Sequence, residues 1–149
     1  MVGYTQQTDP DTTARAIGKE MPISPKHSRE ICRMLRGKNV DVAIRMLEEV
    51  VELKRPVPFA RFKGYVSHKK GVGPGRYPQK SAQAILKTVE SAKHNAEYKG
   101  LDTENMKISV ITANLGRTIP GYMPRAYGRS TKWNQQTVNI EVILEEAKQ

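Results

Sequence analysis

After Gly100 the spacing of apolar residues changes from helical to alternating, and this change constrains the fold more than any other feature of the chain. Before it, three stripes recur at helical spacing. They are Ile31, Met34 and Leu35; then Val40, Ala43, Ile44, Leu47, Val50 and Val51; then Ala82, Ile85, Leu86, Val89, Ala92 and Ala96. Ser24 followed by Pro25 supplies an N-cap and a proline at the first helical position, and Gly37 supplies a stop. Asn39 caps the second helix, which Pro56 and Pro58 end, and the third runs from about Pro78 to Gly100. Beyond Gly100, Met106, Ile108 and Val110 alternate with Lys107 and Ser109. Val138, Ile140, Val142 and Leu144 alternate with Asn139 and Glu141. Period two over such runs predicts two half-buried strands, paired antiparallel, and a weaker extended segment covers about Thr12 to Ile17. The fold class is α+β: a small antiparallel sheet packed with three helices. At 149 residues the chain suits a single domain, residues 1–149.

Two stretches lie outside that body. Pro56 to Tyr77 holds three prolines, four glycines and several basic residues with no helical stripe, and it reads as an irregular extension. Asn114 to Asn134 joins the two late strands and is far longer than the usual hairpin loop of about two to five residues. Its centre mixes hydrophobic, aromatic and basic residues without the alternation that buries one face. If the strands continue outward through it, they form a long protruding β-hairpin over about 105–145, with its tip near 117–132. About ten residues a side make a ribbon roughly 30 Å long. An isolated ribbon of that kind is marginal in water and needs a partner to order it.

The charge says what kind of partner. The chain carries 25 Lys and Arg against 15 Asp and Glu, a net charge of +10. From Lys54 to Lys80 there are eight basic residues and no acid: Lys54, Arg55, Arg61, Lys63, Lys69, Lys70, Arg76 and Lys80. From Arg117 to Lys132 there are four, Arg117, Arg125, Arg129 and Lys132, again with no acid. These segments carry the whole excess, the footprint of a polyanion partner. Lys63-Gly-Tyr65, Arg76-Tyr77 and Arg125-Ala-Tyr127-Gly-Arg129 interleave base, aromatic and glycine, which suits phosphate contacts combined with stacking on bases. Composition does not choose between RNA and DNA.

Other chemistries find little support. Gly71-Val-Gly-Pro-Gly75 lacks the preceding buried strand and following helix of a phosphate-cradling loop. His27, His68 and His94 show no metal-ligand spacing. Cys32 stands alone, which excludes an internal disulfide and a thiolate zinc cluster, and reads as a small buried hydrophobe. Glu48, Glu49 and Glu52 lie on the polar side of the second helix, as solvent-facing groups or partners of nearby bases. No nucleophile, base and orienting group occur together, so no enzyme and no cofactor are expected. No apolar run is long enough to span a membrane, and no signal-peptide core leads the chain. A cytosolic setting is expected.

Three strings then become specific. Ser24-Pro-Lys through Arg36-Gly-Lys38, Ser91-Ala-Lys-His-Asn-Ala-Glu97 and Met123-Pro-Arg-Ala-Tyr-Gly-Arg129 resemble the large-subunit ribosomal protein family numbered twenty-two in the bacterial scheme. Lys54-Arg-Pro-Val-Pro-Phe59 and the basic extension of about 54–80 depart from the shorter bacterial pattern and look like the archaeal and eukaryotic branch. The resemblance covers about Thr13 to Leu144. It implies a structural constituent of the large ribosomal subunit, in the cytoplasm, that binds large-subunit rRNA and meets neighbouring ribosomal proteins without forming a homo-oligomer. It also implies a hairpin that lines the exit tunnel and meets the nascent polypeptide. Carried onto this chain, Arg61, Lys63, Lys69, Lys70, Arg76, Tyr77, Lys80, Arg117, Arg125, Tyr127, Arg129 and Lys132 would hold rRNA. Ile119, Pro120, Gly121, Tyr122 and Met123 would face the tunnel. Ile119 to Tyr122 is uncharged where bacterial relatives tend to be more basic. A free-standing RNA- or DNA-binding regulator would share the charge pattern but not the 123–129 string. An rRNA-modifying enzyme would need a cofactor loop or catalytic group that the sequence lacks.

Overall fold

A computed structural model describes residues 3–146. In chain order the elements are β1 (Thr13–Met21), α1 (Pro25–Leu35), α2 (Val40–Val51), β2 (Val57–Pro58), β3 (His68–Lys69), β4 (Gly73–Arg76) and α3 (Gln79–Tyr98). There follow β5 (Met106–Ile119), β6 (Tyr122–Pro124), a 3-10 turn at Ala126–Gly128, β7 (Ser130–Lys132) and β8 (Gln135–Glu146). The helix boundaries follow from the caps. The Ser24 hydroxyl accepts from the His27 amide at 3.5 Å, with Pro25 opening α1. The Asn39 side-chain oxygen accepts from the Asp41 amide at 2.9 Å at the start of α2. Gly37, at φ 74°, turns the chain between the two helices in the left-handed region that glycine enters without a Cβ clash.

The main sheet has the order β1-β8-β5, antiparallel throughout. All three helices pack on one face. Ile31, Leu35, Leu47, Ile85 and Val89 meet Ile108, Ile111, Ile140, Val142 and Leu144 in one core cluster. The expected pairing of the two late strands is borne out, and the weak early segment is a full edge strand of nine residues. Its presence puts β8 in the centre. Thr137 to Leu144 are therefore buried on both faces, where alternation had predicted a half-buried strand. The outward-facing polar residues of β8 are covered by their own partners. Glu141 accepts from the Thr5 amide at 2.8 Å, from the Thr5 hydroxyl, and from the Thr112 hydroxyl at 3.2 Å. Asn139 accepts from the Glu20 amide at 2.8 Å. The N-terminal segment thus ties down across this face, and the polar groups are buried without being left unpaired.

The stretch Pro56–Tyr77 is not an irregular extension. It folds into a miniature antiparallel sheet of order β2-β4-β3, in which Val57 pairs with Arg76 and His68 with Pro74. Val57 and Phe59 belong to the core cluster. Two apolar residues flanked by prolines leave no periodic signal, which is why the sequence pattern hides this sheet.

Truncating Leu47 or Ile108 to Ala removes fully buried volume that the neighbours only partly refill, and each change is expected to cost about 2–5 kcal/mol. Val42→Ala, at an exposed position of α2, is expected to stay within about 0.5 kcal/mol. Denaturant unfolding of the three variants checks both.

Candidate nucleic-acid interface

The first surface is built by α1 and the small sheet, and a buried carboxylate sets its shape. Glu30 on α1 is 1% exposed and accepts three successive backbone amides, from Ala60 at 3.2 Å, Arg61 at 2.9 Å and Phe62 at 3.0 Å. Burial by itself raises the Glu30 pKa, but the three amide donors and the nearby Arg33 outweigh it and hold the group below the usual carboxylate range. The ionised side chain therefore fixes the backbone that presents Arg61, Phe62 and Lys63. Lys26 and Arg61 each lie 5.8 Å from the Phe62 ring centre. His27 packs edge-on against Phe59 with ring centres 5.5 Å apart. Burial, then the charge of Arg76, lowers its pKa and keeps the imidazole neutral near pH 7. Arg76 donates to the Tyr65 carbonyl at 3.4 Å, and Tyr65 stands fully exposed at φ 58°. Lys69 lies 5.4 Å from the Tyr77 ring centre.

The second surface is the arm. Buried positions of β5 end at Ile111, and from Asn114 the strand carries almost nothing but exposed side chains. The ladder nevertheless continues through Ile119↔Gln135 and then Tyr122↔Lys132 to Pro124↔Ser130. At about 3.3 Å per residue, the strand from Asn114 to Pro124 spans roughly 35 Å. A bulge between Leu115 and Thr118 re-aims the ribbon, and the Thr137 hydroxyl donates to the Arg117 carbonyl there at 2.6 Å. At Gly121 the strands approach closely: a Cβ would lie 2.5 Å from the Trp133 carbonyl oxygen, and the Trp133 amide donates to the Gly121 carbonyl at 2.6 Å. The tip closes with the Arg125 amide donating to the Arg129 carbonyl at 2.8 Å, around Tyr127 at φ 56° and Gly128 at φ 67°.

The basic and aromatic residues singled out from the sequence divide between these surfaces. Arg61, Lys63, Lys70, Arg76 and Lys80 are exposed on the body, with Lys69 and Tyr77 half-buried against each other. Arg117, Arg125, Tyr127, Arg129 and Lys132 are exposed along the arm, with the Arg125 guanidinium donating to the Thr131 hydroxyl at 3.1 Å. Ile119, Pro120 and Tyr122 are exposed near the tip, and Gly121 and Met123 are half-buried within the ribbon. Lys54 and Arg55 leave the set, because they pair with Glu52 and Glu49 at the end of α2. Cys32 is buried, and burial pushes its thiol up to about 12. Sequence reasoning missed three arginines on α1. Arg29, Arg33 and Arg36 are all exposed, and their i, i+4, i+7 spacing marks a single helix stripe that could have been read directly. It also missed Glu30, whose role depends on a contact thirty residues away in the chain.

Two exposed, aromatic-studded basic surfaces on a small α+β body have the charge and chemistry that suit a polyanion partner. The family model described as ribosomal protein L22p/L17e matches residues 16–145. The chain is 53% identical to large ribosomal subunit protein uL22 of Methanocaldococcus jannaschii over 146 residues, 96% of this chain and 94% of that one. It is 49% identical to the uL22 protein of Methanocella arvoryzae over 150 residues, covering 99% and 98%. It is 54% identical to that of Methanothrix thermoacetophila over 138 residues, 91% of each. The chain belongs to the ribosomal protein L22p/L17e family, whose members are structural rather than enzymatic. The similarity to archaeal members agrees with the branch expected from the extension at 54–80.

Glu30→Gln removes the charge and one of the two accepting oxygens while keeping the shape. It is expected to cost about 1.5–3 kcal/mol and to raise amide exchange at Ala60, Arg61 and Phe62 before elsewhere. Because the folded pKa lies below the unfolded one, the carboxylate's contribution is complete above the ordinary carboxylate range. It fades as pH falls through the folded value. Wild-type stability should therefore drop on acidification over that window more steeply than that of the Gln variant, as measured by unfolding at a series of pH values.

Proposed function

We propose that this chain is a structural constituent of the large ribosomal subunit, residing in the cytoplasm, and that it works by holding rRNA in place. In this reading the chain acts as one domain, 1–149. Its body docks on large-subunit rRNA through the basic surface of residues 54–80, and its arm crosses to rRNA segments distant in sequence. Arg61, Lys63, Lys69, Lys70, Arg76, Tyr77 and Lys80 contact rRNA from the body. Arg117, Arg125, Tyr127, Arg129 and Lys132 do so from the arm. Ile119 to Met123 line the nascent-polypeptide exit tunnel. Neighbouring ribosomal proteins are its other contacts, and it acts as a single copy.

The observation that carries this reading is the arm. A ribbon of roughly 35 Å has almost no apolar burial of its own yet ends in exposed Tyr122, Tyr127 and Trp133 among arginines. Such a ribbon is marginal alone and gains its order from what it touches. Phosphate contacts with counterion release offset the ordering cost, and exposed aromatic faces stack on unpaired bases. The family membership favours rRNA over DNA as that partner.

In a cell lysate washed at high salt and sedimented, the chain should travel with large subunits. Release into the light fractions would point to a peripheral or regulatory binder instead. Deleting residues 117–129 should leave a body that unfolds as cooperatively as the parent, while large-subunit assembly or tunnel geometry is impaired. Normal assembly and an unaltered tunnel in that deletion would refute the proposed work of the arm.

A further inference from the structure

We infer that the groove between α1 and the base of the arm is a separate phosphate-backbone site, which receives rRNA phosphodiesters on four arginines. This deepens the reading of the chain as an rRNA binder and rests on it. The groove holds about 510 Å³, and Arg29, Arg33, Arg36 and Arg61 lie along it. Arg29 and Arg33 on α1 and Arg36 at its C-cap form one stripe, on the side away from Ile31 and Leu35 in the core. The fourth comes from the segment that Glu30 pins, so its backbone is set in position before any ligand arrives. Thr112 and Asn114 of β5 add polar groups to the opposite wall.

The charge balance is what makes this a site. All four arginines are exposed, and among the described residues none forms an ion pair. The one acid in the lining is the ionised Glu30, so the four arginines keep a net excess of three positive charges around the groove. Arg36 reaches the Ile111 carbonyl at 3.5 Å, a contact that leaves its charge uncompensated. Four guanidinium groups around one concavity repel one another in the free protein, and an anion relieves that repulsion. Their planar donor forks match phosphate oxygens.

The ligand is a polymer backbone rather than a lone anion, because the basic lining extends beyond this one groove. The groove shares Arg61 with a second depression lined by Lys26, Phe62 and Arg76. At Asn114 it reaches the point where the arm leaves the body. Basic side chains thus recur from the small sheet to the base of the arm, the layout that suits successive phosphates of one strand.

The test is a titration of the full chain with deproteinised large-subunit rRNA at several salt concentrations. R29Q/R33Q/R36Q should bind about 10–100-fold more weakly at moderate salt. Its slope of log affinity against log salt should be shallower by about 2–3, at roughly 0.7–0.9 per lost phosphate contact. R29K/R33K/R36K, which keeps the charges, should retain the slope and lose only part of the affinity. Arg29→Gln and Arg33→Gln alone, at exposed positions, should each take about 0.7–0.9 from the slope, and they carry the test if the triple variant folds poorly. If inorganic phosphate or a nucleoside triphosphate at micromolar concentration protects the groove arginines as well as rRNA does, the site takes small anions and the proposal fails. If R29Q/R33Q/R36Q binds like the parent while R117Q/R125Q/R129Q loses affinity, the groove is wrong and the rRNA reading stands. If neither variant changes binding, both readings fall.

Discussion

The structure depends on a single strand that must be buried at one end and bare at the other. From Thr137 to Leu144 β8 is buried, and from Val138 onward it is flanked by β1 and β5 on its two edges, so it closes the core. From Gln135 back toward the tip, the same backbone leaves the body and forms one side of the arm. The β5–β8 ladder carries the pairing outward past a bulge, and the separate two-stranded sheet β6-β7 takes it on to the tip. Shifting β8 by one residue would turn Glu141 and Asn139 toward the helices and Ile140 and Val142 outward. The pattern that specifies the core therefore also aims the arm.

Five acids of this chain organise the backbone or pair with nearby bases, and the two basic runs carry no acid of their own. Glu141 ties the N-terminal segment across the sheet, and Glu30 fixes the loop that leads into the small sheet. Asp41 pairs with Lys93 at 2.7 Å to join α2 to α3, and Glu49 and Glu52 neutralise Arg55 and Lys54. The other ten carboxylates lie outside residues 54–80 and 117–132, so the positive field concentrates on the small sheet and the arm. In the free protein this separation costs stability through like-charge repulsion. On a polyanion the same separation becomes attraction, with counterions released from the phosphates.

How much of this could be read in advance depended on whether the deciding contact was local. The caps at Ser24 and Asn39, the three helix stripes and the β5–β8 pairing were legible because each is written within a few residues. The small sheet was not, because Val57 and Phe59 reach the core between prolines with no period around them. Glu30 looked like any helix-surface acid, and only its contact with residues 60–62 makes it a buried anchor. The acid-free run beginning at Lys54 overstated the free charge, since the neutralising acids lie just upstream on α2. Conversely, Arg29, Arg33 and Arg36 are legible at helical spacing, a cluster that shows around a helix and not along the linear charge.

The arm poses the sharpest energetic question, because fixing a backbone costs about 1–2 kcal/mol per residue and the arm buries little to offset it. Three local devices reduce the number of alternatives without adding a core. The bulge at Leu115–Thr118, locked by the Thr137 hydroxyl, sets the direction of departure from the body. The close approach at Gly121 admits no side chain, so a slipped register there would push a Cβ into the Trp133 carbonyl. At the tip, Tyr127 occupies the left-handed region at φ 56°, which disfavours residues with a side chain by roughly 1–2 kcal/mol, and its ring is left 93% exposed. Strain combined with an unburied aromatic gains nothing for the isolated chain. It makes physical sense when a planar partner covers the ring, and the arm is then a preformed path whose remaining ordering cost falls on the binding step.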